Sequence, residues 1–190
     1  MVNHQEEIKK LMTETKDAMN HAIEHLSNEL VKVRTGKANA SMVAGLLVSY
    51  YGNPTPLNQV GNVSNADSRT LVIQPWEKTM IGPIEKAIFE ANLGVTPQND
   101  GEVIRISIPP LTEERRKDLV KQAKSLGEDA KVSIRSARHK AIDSIRKAVK
   151  DGYPEDMGHD KEAEAQKLTD NFGNKVDDLV KAKEEDIMTI

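Results

Sequence analysis

The stretch LTEERRKDLVKQAKSLGEDAKVSIRSARHKAIDSIRKAVK, Leu111–Lys150, decides the architecture. Its apolar residues fall at Leu119, Ala123, Leu126, Ala130, Ile134, Ala137, Ala141, Ile145 and Ala148, at helical steps of three and four. Thr112 suits an N-cap, and Glu113 and Glu114 suit the positive end of a helix. Unbroken from Glu113 to Lys150, such a helix is ~57 Å long at 1.5 Å per residue. Gly152 and Pro154 stop it. A stripe this narrow, with alanine at half its positions, cannot stay in water and expects partners of its own kind.

Two partners lie on either side in the chain. Upstream, Ile8, Met12, Thr15, Met19, Ala22, Leu26, Leu30 and Val33 repeat the pattern until Gly36. Downstream, a third stripe begins near Asp160 with Ala165, Leu168, Phe172, Val176, Leu179, Ala182 and Asp186/Ile187. The joint Asp151–His159 (DGYPEDMGH) is short enough for an antiparallel pair, so a three-helix bundle is expected. Residues 37–108 differ. Strands are expected at Gly45–Tyr51, Thr70–Trp76 and Glu102–Ile108, a turn at Gly52–Pro56, and a short helix opening at Gly82-Pro83. The expected fold class is α+β: a three-helix bundle of residues 1–35 and 110–190, with a small β/α/β domain, 36–109, inserted into it.

The insertion leaves two connections, near Arg34–Lys37 and at Pro109-Pro110. One carries glycine and the other two stiff prolines, which suits a hinge at Arg34, Gly36, Pro109 and Pro110; a rigid junction fits the spacing equally well.

The 190 residues carry a net charge of only −3, which taken alone argues against nucleic acid. The total hides a segregation. Residues 112–150 hold 12 basic and 6 acidic side chains, for +6, whereas 152–190 hold 5 and 11, for −6. On a helical wheel Lys117, Lys121, Lys124, Lys131, Arg135 and Arg138 share a sector about 100° wide, centred roughly 120° from the apolar stripe. This row is expected to point mostly away from the third helix. It reads either as an edge that tracks phosphates or as a solvated face, with Glu128 interrupting it.

Enzyme signatures are weak. With no cysteine, thiolate chemistry and disulfides are excluded. His21-Ala22-Ile23-Glu24-His25 matches the H-x-x-E-H pattern, but the histidines flank a bundle seam and a zinc hydrolase needs a third ligand. Gly36-Lys37 lacks the rest of a phosphate-binding loop. Ser41, Ser49 and Ser107 have no nucleophile setting. Tyr50, Tyr51 and Trp76 could stack bases, yet their spacing also fits a sheet surface or core. No metal and no cofactor is expected. The N-terminus has no apolar targeting segment, and the longest apolar run, near Met42–Val48, is far short of the ~20 residues that span a bilayer, so no membrane association and a cytoplasmic location are expected. A coiled-coil adaptor would explain the helices but not the insert.

Pro109–Leu119 (PPLTEERRKDL) resembles the ribosome recycling factor family. So do Arg34–Ala38 (RTGKA), Tyr50–Leu57 (YYGNPTPL), Asp67–Leu71 (DSRTL), Glu85–Ile88 (EKAI) and Gln166–Asp170 (QKLTD), in order over nearly the whole chain. The resemblance implies an L-shaped, monomeric, non-enzymatic protein with a flexible corner at the two connections. It implies binding between the subunits of a ribosome that has finished translation, with the bundle against large-subunit ribosomal RNA. Subunit splitting then follows with elongation factor G and that partner's GTP hydrolysis. By resemblance Arg135 and Arg138 contact RNA, with Lys131, Arg115, Arg116 and Lys117 as further contacts. His139 stands where the family often carries another arginine, which places an imidazole where the resemblance implies a guanidinium.

Overall fold

The computed structural model describes residues 3–189. The chain divides into two compact units, Met1–Arg34 with Glu113–Ile190, and Thr35–Thr112. Pro109 and Pro110 therefore fall inside the inserted unit.

The bundle consists of α1 (His4–Lys32) and two long helices that follow the insert in the chain. Helix α1 buries Ile8, Met12, Thr15, Met19, Leu26 and Leu30. Thr15 is tolerated in this seam because its hydroxyl donates to the Leu11 carbonyl at 2.8 Å. The helix ends at Lys32, ahead of the glycine expected to stop it.

The inserted unit runs through α2 (Ser41–Ala44), β1 (Leu47–Tyr50), β2 (Asn53–Pro56), α3 (Leu57–Val60), β3 (Gly61–Asp67), β4 (Thr70–Pro75), a 3₁₀ turn at Lys78–Met80, α4 (Ile81–Glu90), β5 (Pro97–Asn99) and β6 (Ile104–Ser107). Strands β3-β4-β6-β5 form one antiparallel sheet in that order, and β1-β2 form a separate hairpin. Leu71 opposes Ile106 and Ile73 opposes Ile104 across the sheet centre. These four join Val48, Leu57, Ile84 and Ile88 in a buried aliphatic core.

Three strands were not expected from the pattern. β3 and β5 are the sheet edges, and their sequences, GNVSNAD and PQN, carry almost no apolar alternation. An edge strand is held by backbone pairing to one neighbour, so its side chains need not announce it. Within the expected turn Gly52–Pro56, only Tyr51 and Gly52 turn, both at positive φ, and Asn53–Pro56 is β2. Pro54 and Pro56 are tolerated because β2 pairs only with β1.

The remaining two helices are α5 (Glu113–Lys150) and α6 (Glu155–Met188). α5 has the expected 38-residue span. α6 starts about a turn and a half before Asp160, leaving only Asp151–Pro154 as the joint. Pro154 opens it and Gly158 lies within its first turns, where a Cβ would sit 2.5 Å from Val149 Cγ2. That glycine marks close helix approach, not a loop. The α6 seam also departs from expectation near its end. Ala182 is exposed, and the buried line runs from Val176 past Val180 and Lys183 to Ile187. Burial holds the Lys183 ammonium below the usual lysine range.

Candidate nucleic-acid interface on the long basic helix

Helix α5 turns its small residues inward: Ala123, Gly127, Ala130 and Ala141 are buried with Leu119, Ile134 and Ile145. At Gly127 a Cβ would lie 2.6 Å from Val180 Cγ2, so α5 and α6 approach as closely as side chains allow. The basic residues then line the flanks of this seam, and part of the row faces α6 instead of pointing away from it. Lys124 Nζ lies 3.8 Å from Glu184, Lys131 Nζ 2.6 Å from Asp177, and Arg146 Nε 2.8 Å from Glu162. Arg138 Nη1 donates to Gln166 Oε1 at 2.8 Å. Partner numbers fall on α6 as they rise on α5, the signature of an antiparallel pair. Lys124, Lys131 and Arg138 are seven apart, so they return to nearly the same angle, and their long stems lie along apolar surface toward the acidic neighbour. A wheel centred on Cα positions misses that reach.

The six sequence-predicted contact residues thus occupy different environments. Arg135 is exposed, and no ion pair or side-chain hydrogen bond holds it among the described residues. It lines a groove of about 340 Å³ with Lys131 and Ile134 on one wall and Thr169, Asp170 and Asp177 on the other. Lys131 is half-buried between Asp177 and Glu128. Arg138 is half-buried with its Nε enclosed and unpartnered. Near the helix start, Lys117 lies 3.9 Å from Glu113, Arg115 is exposed, and Arg116 is half-buried with an unpartnered Nε. The six are not one cluster: Arg115, Arg116 and Lys117 belong to the first two turns and Lys131, Arg135 and Arg138 to the helix middle. Sequence reasoning missed the support behind Arg138, where Gln166 Nε2 donates to Asp170 Oδ1 at 2.9 Å. The Gln-x-x-x-Asp spacing was the available signal.

Of the hinge candidates, Arg34 ends the first segment of the bundle unit, and Gly36, Pro109 and Pro110 lie within the insert. Gly36 has φ +74, and a Cβ there would lie 2.9 Å from Leu111 Cγ. The Ala38 N–H donates to the Ser68 carbonyl at 2.8 Å, and the Ile108 N–H donates to the adjacent Arg69 carbonyl at 2.8 Å. Asn65 Nδ2 adds a bond to the Ala38 carbonyl at 2.8 Å. Both connections therefore enter the insert on one support, the β3–β4 turn, immediately beside Gly36 and Pro109-Pro110. His21 is exposed and lies 3.5 Å from Glu24 on the same turn. Among the described residues no group of three His, Asp or Glu side chains is placed to hold a metal, and no helix is long and apolar enough to cross a membrane.

These features define a class: a two-unit α+β protein built on a long basic helix stapled to an acidic one. The sequence profile of the ribosome recycling factor family matches residues 26–188. The chain is 51% identical over 185 residues to the ribosome-recycling factor of Porphyromonas gingivalis, covering 97% of this chain and 100% of that one. It is 49% identical to that of Flavobacterium johnsoniae, covering 97% and 99%. A solution structure of ribosome recycling factor superposes with a TM-score of 0.78 at 35% identity over the full length of both chains. A second solved structure, of the T. thermophilus factor described with E. coli elongation factor G bound to the E. coli post-termination complex, gives 0.62 at 43% identity, covering 96% of this chain and 99% of that one. The chain belongs to the ribosome recycling factor family.

Proposed function

We propose that this protein binds the ribosome after termination and, with elongation factor G and GTP, splits it into subunits. The observation that carries the reading is the 43% identity, over 96% of the chain, to a factor described on the post-termination complex beside elongation factor G. The protein acts as a monomer in the cytoplasm and contributes no catalytic group; GTP hydrolysis belongs to the partner.

In this reading the middle of α5 meets large-subunit ribosomal RNA through Arg135, Arg138 and Lys131, and Arg115, Arg116 and Lys117 add contacts at the helix start. Phosphate contacts position the bundle without reading bases. Arg135 is ready for a phosphate as it stands. Lys131 must trade Asp177 for one, so part of its gain is offset. The acidic residues of α6 keep the row from attaching to RNA indiscriminately. Movement of the inserted unit about Arg34, Gly36, Pro109 and Pro110 converts the push of the GTPase into displacement of a stiff bundle, since close-packed helices deform little.

The test is a subunit-splitting assay with elongation factor G and GTP, with and without the protein. Splitting that does not depend on the protein ends the proposal. Ribosome binding of the Lys131, Arg135 and Arg138 triple alanine variant should lose roughly 2–3 units of log-log salt slope. Affinity equal to wild type would remove the assignment of those three. Gly36→Ala, strained at positive φ and crowded by Leu111, should impair splitting more than binding. Proline is unsuited to this test, because its ring cannot adopt φ +74.

A further inference from the structure

The insert carries an exposed aromatic group that the proposed function does not use. Tyr51 is 74% exposed and Trp76 66%. Tyr51 also sits at φ 48, in the two-residue turn between β1 and β2, where Asn or Gly is the ordinary occupant. A bulky side chain held in the left-handed region costs free energy, and its exposure means that burial does not repay the cost. Tyr50 packs edge-on against it, with ring centroids 4.6 Å apart.

Both rings end on one carboxylate. The Tyr50 hydroxyl donates to Glu77 Oε1 at 3.1 Å and the Tyr51 hydroxyl to Glu77 Oε2 at 2.8 Å. Each carboxylate oxygen keeps a free lone pair, and among the described residues no lysine or arginine pairs with Glu77. The neighbouring Lys78 is directed instead to Glu102 at 3.8 Å. Tyr50, Trp76 and Glu77, with Thr55 and Gln59, line a cavity of about 250 Å³. A fixed carboxylate, aromatic walls and two neutral polar groups therefore surround one vacant space.

We propose that Tyr50, Tyr51, Trp76 and Glu77 form a docking site for an arginine side chain presented by a basic protein segment. A guanidinium satisfies every element of the site. Its planar fork bonds both Glu77 oxygens, and its face stacks on an aromatic ring, best on indole. Lysine, a compact point charge, uses the carboxylate but gains less from the walls. RNA is disfavoured, because Glu77 repels phosphates and no cation of the site offsets it. The hydroxyl bonds that hold the carboxylate in place also raise both tyrosines above the usual phenol range.

The full-length protein supplies its own probe, since Trp76 is the sole tryptophan. Titration with a short arginine-containing basic peptide, without ribosomes, should change its fluorescence saturably. The matched lysine peptide should bind more weakly. Glu77→Gln should weaken arginine-peptide binding roughly tenfold, the loss expected when a charge-assisted hydrogen bond becomes a neutral one. Tyr51→Asn is the decisive variant: it relieves the backbone, so thermal stability should hold or rise while binding falls. An absent or non-saturable change, unaltered binding in both variants, or competition by single-stranded RNA at the same site would overturn the proposal. None of these outcomes bears on subunit splitting, so the two readings fail separately.

Discussion

The two units solve the same packing problem with opposite materials. The insert fills a small core with large aliphatic side chains, Leu71, Ile73, Ile84, Ile88, Ile104 and Ile106 among them, all essentially without exposure. The bundle reaches close contact by removing side chain, with Ala123, Gly127, Ala141, Gly158 and Ala165 buried along its seams. The insert should therefore be most sensitive to losing volume and the bundle to gaining it. The molecule offers separate readouts, Trp76 fluorescence for the insert and helical circular dichroism for the bundle.

The largest effect should come from Ile73→Ala, which opens a cavity at a fully buried position and costs roughly 3–4 kcal/mol in the Trp76 transition. An equal shift of the helical signal would show that the two units unfold as one and erase the contrast. Next, Ala141→Leu should destabilise the bundle by roughly 1–3 kcal/mol through overpacking, read from the helical transition. Tolerance at that site would mean the seam has slack. A finer test is Gly127→Ala. The gain in helix propensity, up to about 1 kcal/mol, opposes the contact with Val180 Cγ2, so the net change should be small or unfavourable. With Val180→Ala already present the same substitution should become stabilising, and an unchanged sign would remove the close-contact argument.

The smallest effect is electrostatic and belongs to the insert's turns. Asp67 is held below the usual carboxylate range foremost by the Arg69 N–H, and Asp100 foremost by the Val103 N–H, followed by Glu102 N–H. A carboxylate depressed in the folded state stabilises above its unfolded pKa, and that contribution is lost as pH falls through the folded value. The Trp76 transition should weaken below about pH 4, and Asp67→Asn with Asp100→Asn should flatten that dependence. An acid limb unchanged by both substitutions would place its origin elsewhere.

The legible parts of the chain were those where one pattern faces one core. Helices α1 and α5, and the central strands β4 and β6, stand out because Leu119 to Ile145 and Leu71 to Ile106 must each keep a periodic face dry. The edge strands β3 and β5 carry no such obligation and were invisible. The start of α6 was obscured because Pro154 and Gly158 read as turn residues, whereas Gly158 serves the approach of Val149. The basic row was legible as composition, but its division was not. Lys131 and Arg138 reach across a flank to Asp177 and Gln166, and Arg135, four residues from one and three from the other, is left to solvent.

The sequence by itself determined that this protein has three long amphipathic helices, a β-rich insertion between the first two, and opposite charges on adjacent helices. Periodicity and order along the chain carry that information directly. Only the tertiary structure decided which cations are already spent on the acidic helix, which glycines mark contact instead of turns, and that Tyr50 and Tyr51 both meet the Glu77 carboxylate beside a cavity lined by Tyr50, Trp76 and Glu77. Those facts depend on pairs of residues distant in the chain, with side-chain reach and backbone approach set by packing, and no local pattern records them.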